Sequence, residues 1–403
     1  MLAQFFQIFQ GVYTLFTAEP LVSGARLFLI ALAFLLIYLG YRRILEPLMM
    51  IPMGIGMLGV NAGVLILSAA EHGTLFLAPM AADVEQVMYA LQVNFLQPIY
   101  NYTFSNGLIA CFVFMGIGAI TDIDYFMAKP IMSLVIAVFA ELGTIATLPI
   151  ATAVGLEVNE AAAIALVGGA DGPMVLYGSI MLARHLFVPI TIIAYLYLSL
   201  TYAGYPYLIK LMIPRRLRAV KMNPAEIKRV PSQQKFAFTI VTVAVLSLLF
   251  PVAAPLYASF FVGLAIKELG ITRYIEFLSG PLLYGATFFL AFTLGALLEA
   301  NTILDPVVLK LLILGIIALL LSGIGGIIGG MVFYKFSKGK FNPIIGIAGV
   351  SCVPTTAKVA QHAAYEANKM NMILPYALGP NVAGVITTSI ITGIYVSAFG
   401  ILS

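Results

Sequence analysis

Tryptophan is absent from the 403 residues and charged residues make up only 9%, against about 25% in ordinary soluble domains. A soluble fold is excluded. Cysteine occurs twice, at Cys111 and Cys352, each inside an apolar stretch, which excludes a disulfide framework and a Cys/His metal centre. The three histidines, His72, His185 and His362, lie near the ends of apolar stretches without the spacing of a metal motif. The chain also lacks a Walker A glycine-lysine loop, so ATP drive within it is not expected. A formal charge of +4, from 21 basic and 17 acidic residues, is too small a bias to support nucleic-acid binding.

What is present is hydrophobic, 62% of residues. Apolar segments at 25–41, 45–69, 105–121, 130–154, 160–183, 186–204, 236–250, 251–268, 281–300, 306–334, 342–360 and 371–399 recur at lengths that cross a hydrocarbon core about 30 Å thick. The pattern predicts an all-α polytopic membrane protein. Met1 to Thr17, aromatic and without a basic leader, reads as an interfacial helix rather than a cleaved signal, with the mature chain beginning at or near Met1.

The segments form two groups of six that echo each other. Lys129-Pro130 opens a helix followed by the broken stretch Gly168-Gly169-Ala170-Asp171-Gly172-Pro173; Asp305-Pro306 opens one followed by Asn342-Pro343, Gly346, Gly349, Ser351 and Pro354. Such an echo reads as a duplication. Loop charge sets the orientation, because short basic loops stay cytoplasmic. The 205–235 loop carries Lys210, Arg215, Arg216, Arg218, Lys221, Lys228, Arg229 and Lys235 against Glu226 alone, and belongs inside with Arg42-Arg43. The 70–104 stretch, with Glu71, Asp83 and Glu85, and the 155–160 stretch, with Glu157 and Glu160, have no Lys or Arg and belong outside.

One net crossing then separates 155–160 from the basic loop, yet two apolar segments fill that gap. The Gly/Pro-broken segment 160–183 is therefore expected to dip in and return, or to form a broken helix, since its freed backbone groups are tolerable only when buried in protein or lining a polar cavity. Five crossings per half put the second half upside down, in agreement with Lys267 and Arg273 and with Lys335, Lys338 and Lys340. Arg26 and Lys310, on the expected outer side, run against the scheme. The expected organisation is an N-terminal interfacial segment 1–24, a first membrane repeat 25–204, a basic cytoplasmic loop 205–235 and an inverted second repeat 236–403. About ten helices span, and each repeat holds one interrupted or re-entrant segment. Paired interruptions of this kind are where secondary-active carriers expose carbonyls to a cation.

Ionisable residues at membrane depth are costly enough that function is their default reading. Asp171 at the first break can exchange a proton for a metal ion; the competing reading is a cap on the half-helix after Pro173. Asn342, Ser351 and Asn381 add neutral oxygens, hard ligands that suit Na⁺; singly, each also reads as interhelical glue. Glu141 is either a second carboxylate on the ion path or a protonated packing residue. Lys358 either attracts an anion or snorkels to the cytoplasmic face. Tyr195 and Tyr197, on the segment after the first break, offer phenols that could donate a proton; tyrosine is also common at membrane interfaces, and the chain has 20. The residues themselves carry the reading as far as a cation-coupled transporter with inverted repeats.

The Gly168-Gly169-Ala170-Asp171-Gly172-Pro173 stretch with Ala194-Tyr195-x-Tyr197 resembles the membrane-embedded beta subunit of the sodium-pumping biotin-dependent decarboxylases of oxaloacetate, methylmalonyl-CoA, glutaconyl-CoA or malonate. Thr103-Phe104-Ser105-Asn106-Gly107-Leu108-Ile109 with Met115-Gly116-Ile117-Gly118-Ala119, Asn342-Pro343-x-x-Gly346 through Ser351-x-Val353-Pro354, and Gly379-Pro380-Asn381-Val382-Ala383-Gly384-Val385-Ile386 extend it over about residues 45–395 in the same order.

The resemblance implies a subunit of a bacterial or archaeal plasma membrane that decarboxylates carboxybiotin, exports Na⁺ and consumes a proton. The carboxybiotin would be supplied by a biotin-carrier protein and a carboxyltransferase subunit, with a small membrane subunit and homo-oligomerisation as further partners. It implies Asp171 as the Na⁺-linked, proton-exchanging carboxylate, with Asn342, Gly346, Ser351 and Asn381 building the ion sites. It also implies Tyr197 on the same path and Lys358 where the family usually has arginine. Met174 stands where threonine is usual, and with Lys358 it suggests a divergent, malonate-type branch. Lysine lacks the bidentate fork of arginine, which weakens an anion-binding role there. The alternative is a Na⁺/H⁺ exchanger or Na⁺-coupled carboxylate carrier without biotin chemistry.

The orientation is testable with single cysteines after replacement of Cys111 and Cys352. An impermeant thiol reagent on intact cells should label a cysteine within 70–104 and leave Ser232→Cys untouched; labelling at 232 would overturn the inverted repeat.

Overall fold

The computed structural model describes residues 8–68, 71–79, 81, 83–222, 227 and 229–399. The first seven residues of the expected interfacial segment, and Glu226 and Lys228 of the basic loop, lie outside the described residues, as do the side chains of Glu71 and His72. Among the described residues the chain is helical apart from one antiparallel hairpin, Leu65–Ser68 with Glu71–Gly73. The principal helices in chain order are α1 Gln10–Thr17, α2 Pro20–Tyr41, α3 Pro47–Ala62, α4 Val84–Val93, α5 Leu108–Ile120, α6 Pro130–Ala140, α7 Leu142–Ala153, α8 Val158–Ala165, α9 Gly172–Leu182, α10 Phe187–Met212, α11 Ser232–Leu249, α12 Ala254–Glu268, α13 Leu283–Leu297, α14 Pro306–Phe336, α15 Thr355–Ala367 and α16 Leu374–Phe399.

Sequence chemistry sets these boundaries. Proline opens α2, α3, α6 and α14, where its missing N–H costs nothing and its fixed φ suits the first turn. Glu157 and Glu160 form a reciprocal capping box that starts α8, satisfying two of the free N–H groups of a helix start. Gly63 ends α3 after 16 residues, so the expected 45–69 segment is a shorter helix followed by a hairpin strand.

Six helices are long and apolar enough to cross a membrane by length and composition: Pro20–Tyr41, Pro130–Ala153 (α6 continuing into α7), Ser232–Leu249, Thr272–Leu297, Pro306–Phe336 and Leu374–Phe399. Counting each of two bent pairs as one span raises this to eight; in one of them Gln97–Phe104 meets Leu108–Ile120 at 67°. These are the helices of a polytopic membrane protein, fewer by this measure than the ten expected, because α3, α8, α9 and α12 are short.

The element order runs twice. A π-helical turn, Tyr100–Phe104 or Leu278–Leu282, precedes α5 or α13. A Pro-opened helix follows, α6 or α14, then a 3-10 turn, Leu166–Gly169 or Pro343–Gly349, then α9 or α15, and last a 26-residue helix, α10 or α16. Both broken segments expected from Gly and Pro are present.

The chain forms two compact units that each draw on both halves of the sequence: residues 1–109 with 284–311, and 110–283 with 312–403. In the first, Arg26 is buried and donates to the carbonyls of Asn61 (3.0 Å) and Gly11 (3.2 Å) and to the Thr14 hydroxyl (3.3 Å). Its charge therefore clamps α1 to α2 and α3 and carries no weight as a loop charge, which removes its objection to the orientation scheme. In the second, Lys235 pairs with Asp124 (3.0 Å) and Glu268 (3.3 Å), tying the start of α11 to the end of α12.

One close crossing in the second unit joins α5 and α12. A Cβ on Gly118 would collide with the Phe260 carbonyl, and one on Gly263 with the Met115 carbonyl. The backbones touch there, as small residues permit between membrane helices. Gly263→Leu should force the pair apart and cost about 3 kcal/mol or more by overpacking, seen as lost folded yield and a lower unfolding temperature in detergent, while Gly270→Ala, in open space at a surface turn, should cost about 1 kcal/mol for its left-handed backbone.

Candidate ion site

All of the described site lies in the second unit. Its first element is the break between α8 and α9. The 3-10 turn Leu166–Gly169 ends at Ala170, held at φ 52, a left-handed conformation uncommon for a residue with a side chain. Asp171 follows as the N-cap of α9, its Oδ1 accepting from Met174 N at 3.3 Å. The capping role foreseen for Asp171 is thus real, and it uses one carboxylate oxygen. The other, Oδ2, faces the Ser351 hydroxyl at 3.4 Å.

Ser351 belongs to the second break and joins it to the first. Its backbone N–H (3.0 Å) and its hydroxyl (2.8 Å) both reach the Gly169 carbonyl. The two interruptions, 182 residues apart in sequence for that pair, therefore meet at one oxygen. From α16, Thr388 places its hydroxyl 3.0 Å from that of Ser351 and in short contact with Glu141 Oε1. Glu141 sits where α6 meets α7, and its Oε2 accepts from Thr144 at 2.6 Å.

Asn381, on α16 directly after Pro380, donates through Nδ2 to the carbonyls of Ala348 (3.0 Å) and Val350 (3.2 Å) and to Thr356 Oγ1 (3.0 Å). Two carbonyl acceptors fix the amide orientation. Among the described residues its Oδ1 is buried with no hydrogen-bond partner. The Tyr195 hydroxyl is likewise buried and unpartnered, and its ring packs against the backbone of Gly172, where any Cβ would lie 2.6 Å from ring carbons.

The oxygens here are short of hydrogen. Ser351 and Thr388 bring one hydroxyl hydrogen each to four oxygen–oxygen contacts, with Glu141, with one another, with Gly169 and with Asp171. Even with one hydrogen shared between Gly169 and Asp171, one contact stays uncovered. Asp171 and Glu141 are 3% and 1% exposed, and no Lys, Arg or His pairs with either among the described residues. Buried carboxylates without a counter-charge are strongly disfavoured. A proton or a small hard cation relieves both conditions. Single carboxylates among neutral hydroxyl and carbonyl oxygens are hard donors of low total charge, which suit a monovalent ion better than a divalent or soft one.

The remaining expected residues lie apart from this network. Asn342 is buried, caps the 3-10 turn by accepting from Ile344 N (3.0 Å), and donates to the Arg218 (3.0 Å) and Val220 (2.8 Å) carbonyls; its bonds lead to the basic segment, not to Asp171. Gly346 packs backbone to backbone against Gly326 and Gly330 of α14. Tyr197 donates to the Leu312 carbonyl at 2.7 Å. Lys358 is exposed in the first turn of α15. Thr144, Thr388 and the side-chain acceptor of Glu141 were not legible as a cluster, because threonines in apolar helices ordinarily bond back to their own backbone.

The family model of the Na⁺-transporting oxaloacetate decarboxylase beta subunit matches residues 25–399. The chain belongs to this family. A carboxybiotin decarboxylase of Malonomonas rubra is 53% identical over 99% of this chain and 100% of its own length. A methylmalonyl-CoA decarboxylase subunit beta of Veillonella parvula is 33% identical, with 91% of each chain covered. A probable oxaloacetate decarboxylase beta chain of Vibrio cholerae is 31% identical over 91% of this chain and 94% of its own. The family is one of membrane decarboxylase subunits, and names of beta chains are those of parts of larger assemblies.

Asn342→Ala separates clamp from ligand. Loss of two bonds to the 218 and 220 carbonyls, about 1–3 kcal/mol, should loosen the basic segment locally. Trypsin should then cut at Arg215, Arg216, Arg218 or Lys221 roughly tenfold faster, with the Na⁺ response kept; unchanged cleavage with a lost Na⁺ response would instead make Asn342 a ligand.

Proposed function

We propose that this chain decarboxylates carboxybiotin presented by a biotin-carrier protein and couples that step to Na⁺ export with consumption of a proton. The observation that carries the reading is the buried oxygen cluster where the two breaks meet: Asp171 Oδ2, Ser351 Oγ and the Gly169 carbonyl in contact, with Asn381 Oδ1, unpartnered among the described residues, on the helix that supplies Thr388.

Asp171 is the exchanging group in this proposal. Na⁺, the cargo, displaces a proton from Asp171 and is held by its carboxylate with the neutral oxygens of Ser351, Asn381 and the Gly169 carbonyl. Tyr195, whose free hydroxyl lies on the Asp171 side of α10, supplies the phenol in preference to Tyr197, which is engaged with Leu312. Decarboxylation breaks the N–C bond of carboxybiotin, releases CO₂ and places a proton on the ureido nitrogen. One proton is consumed per CO₂, and a proton given up only when Na⁺ takes its place ties the two processes together. Lys358, exposed at the start of α15, offers a point charge to the carboxylate of the arriving group. The exposed Arg215, Arg216, Lys221, Lys338 and Lys340 mark the proposed cytoplasmic side, where the carrier and a carboxyltransferase subunit would dock.

Asp171→Asn should abolish ²²Na⁺ uptake and decarboxylation in the reconstituted complex while the protein remains folded. Ser351→Ala and Asn381→Ala should each raise the Na⁺ concentration for half-maximal activity about ten- to a hundredfold, as expected for a lost bond of roughly 1.5–3 kcal/mol to a charged group. Saturating Na⁺ should rescue these two and not Asp171→Asn. Avidin should block Na⁺ uptake; uptake that persists in avidin would favour a biotin-free exchanger.

A further inference from the structure

Glu141 is the one buried carboxylate in the network that the proposed function leaves unused. It enters the membrane at the junction of α6 and α7, 1% exposed, and both of its oxygens accept from threonine hydroxyls, Thr144 at 2.6 Å and Thr388 in a short contact. Thr388 is 3.0 Å from Ser351, and Ser351 is 3.4 Å from Asp171. Among the described residues no hydrogen bond joins Glu141 to Asp171 or Asn381; its charge acts on Asp171 through space, and its hydrogen-bonded route to the ion site runs through the two hydroxyls.

A hydroxyl has one hydrogen, so the chain has a direction. When Thr388 donates to Glu141, its oxygen is free to accept, and Ser351 can turn its hydrogen to Thr388. The Ser351 lone pairs then face Gly169 and Asp171, where a cation can use them. When Thr388 has no acceptor on the Glu141 side, its hydrogen turns to Ser351 instead, and the Ser351 hydrogen is driven toward Gly169 and Asp171, into the place of the cation. We propose that Glu141 is a positioning residue of the ion site: as the terminal acceptor it turns the Thr388 and Ser351 hydroxyls so that Ser351 presents oxygen, not hydrogen, to Na⁺. This rests on the ion-site reading above and goes beyond it by assigning a role to a carboxylate that does not touch the ion. A purely packing Glu141 would leave the Ser351 hydrogen indifferent to it.

The test is Na⁺-induced protection against thermal unfolding of the purified full-length chain, at constant ionic strength with K⁺ as the balancing ion. Glu141→Met removes the acceptor at similar length, and replacing a buried charged group by an apolar one of matching volume is often tolerated. Thr388→Val cuts the chain one step later. Each should raise the Na⁺ concentration for half-maximal protection about tenfold, the size of a hydrogen bond to a charged group. The double variant should show about the same tenfold rise rather than a hundredfold one, because both act through one hydroxyl chain. Thr388→Ser, which keeps the hydroxyl, should stay near the wild-type value. Half-saturation values within about twofold of wild type in the folded single variants, or a multiplicative double variant, overturn the inference. If Glu141→Met fails to fold, the contrast between Thr388→Val and Thr388→Ser decides alone. Asp171→Asn is the separate control: a retained Na⁺ response there overturns the ion-site reading and this inference with it. A lost response there beside unchanged values in the other variants overturns only the role of Glu141.

Discussion

The backbone N–H of Ser351 donates to the Gly169 carbonyl with the Ser351 hydroxyl oxygen 2.8 Å from the same atom, and this contact holds the second unit's centre in place. A 3-10 turn ending inside the membrane leaves carbonyls that water cannot reach, and an unsatisfied one costs several kcal/mol in hydrocarbon. Here the free end of one broken segment is satisfied by the backbone and side chain of the other. The glycines on both sides follow from that contact, since Gly168 and Gly169 lie against Thr144 and Thr388 and Gly384 lies against Ser351. Any side chain at these positions would separate the elements that the contact joins. The oxygens proposed to bind the ion are thus a by-product of satisfying two broken helices with each other.

Much of this was readable from residue order, and the reasons differ by residue. Asp171 stood out because a carboxylate beside Gly-Gly and Gly-Pro in an apolar run has few structural uses, and the structure puts it at the end of the turn those glycines create. Ser351 was readable as polar chemistry beside a matching break. The pairing of Ser351 with Thr388 and Glu141 was not, because a threonine within α16 has the same local signal whether it bonds to its own helix or to a partner 247 residues away. Tyr195 and Tyr197 are indistinguishable by spacing to a break; only packing shows that one ring faces Gly172 and the other's hydroxyl reaches Leu312. Arg26, which runs against the expected orientation, lies outside the charge rule for loops, because that rule assumes exposure and its guanidinium is buried among carbonyls.

Asn342 shows how the residue type of Asn381 serves a different purpose elsewhere in the second unit. With Asn371, which also donates to the Val220 carbonyl at 2.8 Å, it fastens the stretch after Arg215–Arg218 onto the start of the second broken segment. Two amides on one pair of carbonyls make a rigid joint between a basic surface stretch and the buried break. Whatever binds that surface is therefore connected mechanically to the segment carrying Ser351, without a flexible linker between them.

The shortage of hydrogens among the oxygens around Ser351 has a bearing on fidelity. A binding site that is comfortable when vacant can travel across a membrane unloaded, and each such passage dissipates a gradient without doing chemistry. Oxygens crowded together with too few hydrogens repel one another unless something positive sits among them. Under the proposed Na⁺ coupling the vacant form is the least stable of the three, below the protonated and the Na⁺-loaded forms in population, and repulsion among the oxygens opposes idle return.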